Sequence, residues 1–178
     1  LDETPEKSLK TKNFKKCNIL MGANQDEGYY FIMYYLTSLF KKEENVFVTR
    51  QAFEESVGEL NLWVSPVGKE AIKFEYTDWL SPKDPRTNRE ALDRMVGDYA
   101  FSCPVSDFSH RYAETGNNVF VYYFSERASV NPWPTWSGVL HGDEIAFIFG
   151  EPLNRSKNYD PSEIQLSERM MAYWANFA

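Results

Sequence analysis

The chain has only two histidines and two cysteines among its 178 residues. Cys17 and Cys103 are too few for a disulfide scaffold and lack the spacing of a metal site. Basic residues are in the minority, with 19 Lys plus Arg against 26 Asp plus Glu and a formal charge of −7. With a pI near 4.9, the chain lacks the basic footprint that engages nucleic-acid phosphates. No apolar run approaches the roughly 18 residues of a membrane-spanning helix, and mean hydropathy is −0.52. There is no internal repeat, no low-complexity segment and no Gly-x-Ser-x-Gly nucleophile elbow. Neither a signal-peptide nor a transit-peptide pattern follows Leu1. The chain opens without Met and stops at Ala178 inside a helical pattern with no Gly, Pro or polar cap. It is therefore expected to be part of a larger domain.

The composition is otherwise that of a folded core: 43% hydrophobic and 16% aromatic, with 13 Phe, 11 Tyr and 5 Trp. Residues 1–16, rich in lysine, read as an exposed lead-in. Asn18 to Gly22 is a short apolar run closed by glycine and predicts a buried strand. A polar loop to Gly28 follows. Tyr29 to Phe40 predicts about three helical turns buried on more than one side. Helices are predicted from Thr49, from Pro66, from Asn88 as a cap, and from Pro104 to Gly116. Val119 to Phe124 is β-branched and aromatic throughout and predicts a second buried strand. A rigid loop over 131–136, a glycine-bounded loop around His141, a short helix over 144–149 and a last helix from about Pro161 complete the chain. Two strands among some six helices suggest a mostly parallel sheet flanked by helices, an α/β class, and further strands supplied from elsewhere.

Two residues stand where strands release the chain. Glu27 lies in the loop after the first strand, and His141 lies between Gly138 and Gly142 beyond the second. A loop carboxylate ordinarily caps a helix or meets water. A loop histidine beyond a strand's carboxyl end is well placed for general acid–base work. Their order, acid and then histidine, is that of an α/β-hydrolase triad whose nucleophilic serine would precede both. His110, between Ser109 and Arg111 on a helix, reads as a solvated or capping histidine.

Asn18-Ile-Leu-Met-Gly-Ala-Asn-Gln-Asp-Glu-Gly28 resembles the acid-bearing segment of the cholinesterase and type-B carboxylesterase family. So do Glu75-Tyr-Thr-Asp-Trp79, Val96-Gly-Asp98, Trp133-Pro-Thr-Trp-Ser-Gly-Val-Leu-His-Gly-Asp-Glu144, Phe149-Gly-Glu-Pro-Leu153 and Tyr173-Trp-Ala-Asn-Phe177. The motifs run in order through the chain and favour the cholinesterase branch. The resemblance implies that residues 1–178 are the C-terminal portion of an α/β-hydrolase fold, incomplete in this chain, with the serine and oxyanion hole upstream.

It further implies that Glu27 and His141 are the triad acid and histidine. Tyr30 matches a ring of the choline site, Phe31 a ring bounding the acyl pocket, and Tyr34 and Trp133 further rings lining the gorge. Such rings attract quaternary ammonium groups. Glu144 matches a buried supporting glutamate near the base of the gorge. Tyr30 and Asp143 stand where vertebrate members have Phe and Tyr, a wording closer to arthropod members.

Cys103 matches a cysteine that forms a disulfide with a residue outside this chain, and Cys17 reads as a buried free thiol. Asn154-Arg-Ser156 is a glycosylation sequon. The implied activity is cleavage of acetylcholine through an acyl-enzyme, without cofactor or metal. The setting is extracellular, synaptic, secreted or membrane-anchored, in a homodimer whose membrane attachment uses segments not present here. A general carboxylesterase and a non-catalytic adhesion ectodomain of the same fold are the alternatives. The isolated chain, without a nucleophile, is expected to be inactive.

Overall fold

Small polar side chains and prolines set where the helices begin. The computed structural model describes residues 3–43 and 45–178. Thr4 caps α1 (Pro5–Thr11), Thr49 caps α3 (Arg50–Leu60) and Ser65 caps α4 (Pro66–Tyr76). Asp84 caps α5 (Pro85–Gly97) by accepting from the Arg86 and Thr87 N–H groups. Asp160 and Glu163 form a reciprocal capping box on α8 (Pro161–Phe177). Each such cap contributes about 1 kcal/mol. All of these helices except α3 also take proline in the first turn, where the missing N–H costs nothing.

The predicted cap Asn88 is instead an interior residue of α5. It is buried, and its amide donates to the Val48 carbonyl. The cap belongs to Asp84, because Pro85 fixes the first helical turn ahead of Asn88. The lysine-rich lead-in is exposed as expected but contains α1, which buries none of its residues. The apolar stretch from Tyr29 forms α2 (Glu27–Tyr35), shorter than predicted. Leu36 and Phe40 stay buried beyond it, whereas Tyr34 and Tyr35 are exposed.

The sheet pairs β1 (Ile19–Asn24) with β2 (Val119–Phe124) in parallel, in register from Ile19↔Val119 to Asn24↔Phe124. It has two strands among the described residues. The second strand is not buried as predicted: Phe120, Val121 and Tyr123 are all more than half exposed. Tyr122 packs on Trp174 and Phe120 on Phe177, both from α8, and Phe124 packs into the core against Phe147.

The larger core joins α2, α3 and α5 through Tyr29, Ile32, Phe53, Val57 and Leu92. A smaller one forms between Phe124, Val139, Phe147 and Met170. The helices α2 and α5 meet at Gly28 and Gly97, where a Cβ on Gly28 would overlap the Asp93 carbonyl. Glycine is required there by close backbone approach rather than by φ. After α5 the same rod widens into a π turn (Asp98–Ser102) and continues as α6 (Cys103–Ala113). A short helix α7 (Asp143–Ile148) follows the His141 loop, with Gly142 at φ 89° as its N-cap.

Candidate active site

Parallel pairing brings the carboxyl ends of β1 and β2 to one edge of the sheet. The pairing extends past the strands: Gln25 N–H donates to the Phe124 carbonyl, and Asp26 N–H donates to the Val139 carbonyl. A further parallel bridge joins Asp26 and Leu140. The two loops therefore leave the sheet side by side, although 114 residues separate Glu27 from His141.

Glu27 opens α2 and is 5% exposed. Its Oε1 accepts from the Asn24 N–H at 2.7 Å, and its Oε2 lies 2.7 Å from His141 Nδ1. A carboxylate can only accept, so Nδ1–H donates to Glu27, and in the neutral imidazole this places the lone pair on Nε2. The His141 side chain is 41% exposed while that of Glu27 is 6% exposed. An oriented, accessible imidazole held by a buried acid has the geometry that the base and orienter of a nucleophilic triad require.

Aromatic rings surround the imidazole. The Phe101, Phe31 and Tyr30 centroids lie 4.7, 5.2 and 6.0 Å from that of His141. Tyr34 stands edge-on to Tyr30 at 5.1 Å and is largely exposed. Trp133 stands apart from this group; its ring carries Lys42 Nζ at 4.6 Å, and its carbonyl accepts from Arg127.

The returning loop is pinned by charge. Arg127 donates to the carbonyls of Trp133 and Gly138 at 2.6 and 2.7 Å. Asp143 accepts from the Leu140 N–H and the Asn131 amide. Asp26 accepts from the Val139 N–H. Burial raises the carboxyl pKa of both Asp26 and Asp143, partly offset by these hydrogen bonds.

The sequence model of the carboxylesterase family matches residues 1–178. The chain belongs to the carboxylesterase family. Its fold is accordingly that of an α/β-hydrolase, seen here as helices around a small parallel sheet. The chain is 43% identical over 178 residues to the cholinesterase of Mus musculus. It is 45% identical over 176 residues to the acetylcholinesterase of Bungarus fasciatus and 39% over 205 to that of Electrophorus electricus. These alignments take in 99–100% of this chain but only 29–32% of each relative's length.

Within this carboxylesterase framework the remaining sequence candidates fall in separate places. Glu144, half-buried on α7, accepts from the Asn24 amide at 2.6 Å and from the Tyr122 hydroxyl at 3.4 Å. Burial first, and the Glu144 charge next, push the Tyr122 hydroxyl up to about 12. Cys103 is exposed at the start of α6. Cys17 is exposed as well, contrary to the buried thiol expected, because it precedes β1; its Sγ lies 3.7 Å from the Tyr112 hydroxyl. Asn154 is exposed, with its Oδ1 accepting from the Ser156 N–H and hydroxyl. His110 is exposed and bonds the Ser106 carbonyl through Nδ1.

Phe101, the ring nearest His141, is not among the sequence candidates. It lies in the π turn, which rotates side chains away from their α-helical phase. Asn24 and Asp93 are absent from them too. Both are buried polar residues within ordinary-looking elements, and only the fold brings them to the site.

Proposed function

We propose that the whole protein hydrolyses acetylcholine to choline and acetate through an acyl-enzyme, and so terminates cholinergic signalling. The observation that carries this is the His141–Glu27 pair at 2.7 Å, beside Tyr30, Phe31 and Phe101. In this reading residues 1–178 are part of a larger catalytic domain. A serine outside them attacks the ester carbonyl. His141 Nε2 takes the serine proton during attack and returns it to the choline oxygen as the ester bond breaks. Glu27 keeps the imidazole oriented and stabilises its charged form. Water then repeats the sequence on the acyl-enzyme with His141 again as base. None of these steps calls for a cofactor or metal.

Tyr30 offers a π face to the quaternary ammonium, with Tyr34 against it. That favours a choline ester over an uncharged one. Phe31, stacked with Phe101 at 5.3 Å, bounds the acyl group. Trp133 lines the approach further out, and Glu144 supports the base of the site. Extracellular, synaptic placement, secreted or membrane-anchored, belongs to the same proposal. So do a homodimer, a disulfide from Cys103 to a cysteine outside these residues, and a glycan on Asn154. The exposure of Cys103 and Asn154 supports the last two.

The test is His141→Ala in the whole enzyme, assayed with acetylthiocholine. The expected loss in kcat is about 10⁴- to 10⁶-fold. A loss below about tenfold would overturn the assigned role, because a missing general base in a triad costs far more than that.

A further inference from the structure

We propose that Asn24 is a positioning residue for the catalytic pair, clamping the His141 loop to the β1 end that holds Glu27; this rests on the reading of Glu27 and His141 as acid and base. Asn24 is the last residue of β1 and is 1% exposed. Its N–H donates to Glu27 Oε1 at 2.7 Å. Its Nδ2 donates to the carbonyl of Leu140, the residue before His141, at 2.7 Å, and to Glu144 Oε2 at 2.6 Å. One buried side chain thus ties β1 to the loop of the histidine and to the helix after it, while its own backbone holds the acid.

The donors and acceptors fix which way the amide lies. Leu140 O and the Glu144 carboxylate both accept, so the NH₂ must face them. No other side chain of this volume puts two donors on one nitrogen there. Aspartate would set lone pairs against the Leu140 carbonyl and the Glu144 carboxylate. Alanine would remove the donor to Glu144 Oε2 and leave the Leu140 carbonyl only the Asp143 N–H at 3.1 Å, cutting the tie between β1 and the His141 loop. Either change loosens His141 relative to Glu27, and a displacement of about 1 Å in a reacting group can cost on the order of 100-fold in rate. The titratable groups facing Asn24 are Glu27 from α2, Glu144 from α7 and Tyr122 from β2, with His141 beyond Glu27.

The experiment uses the whole enzyme with acetylthiocholine, comparing wild type, Asn24→Ala, Asn24→Asp and Asn24→Asp combined with Glu144→Gln. Asn24→Ala is expected to lower kcat about 10- to 100-fold with KM within about twofold. Asn24→Asp is expected to lose more, and to move the acid limb of the pH–rate profile, because a carboxyl against Glu144 puts a new titrating pair beside Glu27 and His141. The double variant reverses donor and acceptor, so that the α7 glutamine amide donates to the β1 aspartate, and should recover at least about tenfold over Asn24→Asp alone. That recovery distinguishes positioning from a merely structural role, and it decides the matter if Asn24→Ala does not fold. Wild-type kcat in folded Asn24→Ala overturns the proposal. So does a loss that tracks the folded fraction with an unmoved pH profile, or a folded double variant with no recovery. If the wild-type enzyme cleaves no ester, the functional reading fails instead. The His141 ring titration by NMR in wild type and Asn24→Asp then decides the clamp, and identical curves overturn it.

Discussion

The fold disfavours ionisation of the buried Asp93 carboxyl, and replacing it with asparagine should change how stability depends on pH. It is 4% exposed on α5, beneath the start of α2. Its Oδ1 accepts from the Tyr29 N–H at 2.7 Å, and the Gly28 N–H also faces it. Burial, reinforced by the nearby Asp26 charge, pushes its pKa from 3.8 up to about 8 against the pull of those N–H groups. The folded protein therefore keeps a proton that the unfolded chain releases. The associated stability is complete below about pH 4 and is lost as pH rises from there through about 8. At about 1.36 kcal/mol per pH unit, about 4 kcal/mol is gone by pH 7 and about 6 above pH 8. An asparagine side chain in its place is neutral at every pH and keeps an oxygen for the Tyr29 N–H. Measured by urea unfolding of the whole protein, Asp93→Asn should gain about 4 kcal/mol relative to wild type between pH 4 and pH 7. Asp93→Ala, which removes the acceptor, should carry an additional loss of about 1–2 kcal/mol at all pH values. A wild-type-minus-asparagine difference that stays flat across this range would refute the reasoning.

The proposed choline site and the helix crossing give two further expectations. Tyr30→Ala should raise KM for acetylthiocholine about 2- to 30-fold, the range of one cation–π contact, with less than about a twofold change for an uncharged ester of the same shape. Equal losses on both substrates would show that Tyr30 only packs beside His141. Gly28→Ala drives a methyl into the Asp93 carbonyl where α2 crosses α5 and should cost about 1–3 kcal/mol of stability. An unchanged melting temperature would mean that the two helices can separate without loss.

What the sequence makes legible is local. Thr49, Pro66 and Pro161 mark helix starts because a cap or an N1 proline acts within one turn. The strands at Asn18 and Val119 are legible because β-branched and aromatic runs bounded by polar loops have few other uses. Glu27 and His141 are legible as a pair only through their order and the family motifs around them; their 2.7 Å contact depends on parallel pairing, which no local pattern encodes. The partial exposure of β2 is hidden for a related reason. An apolar run reads as buried on both faces, whereas here α8 covers Phe120 and Tyr122 only in part and leaves Val121 and Tyr123 open. Phe101 is hidden because the π turn changes the phase of its helix. Asn24 and Asp93 are hidden because a polar residue in a strand or helix looks solvated until its neighbours bury it.

The acidic balance of the chain acquires a specific meaning at the strand ends. Asp26, Asp93 and Asp143 each place a carboxyl on a backbone N–H next to the pair: on Val139, on Tyr29 and on Leu140. Burial raises the pKa of all three. In open α/β sheets ligands bind beyond the carboxyl ends of strands, where the backbone leaves the ladder and its N–H groups lose their partners. Buried carboxyl oxygens are strong acceptors for those groups, and the hydrogen bonds offset part of the cost of burying them. These acids therefore hold the loops, and Glu27 is distinguished from them by its partner rather than by its type. Its partner is an imidazole, that of His141, whose side chain is 41% exposed. In the proposed mechanism that difference separates an acid that shapes the site from one placed to respond when charge develops on a reacting base.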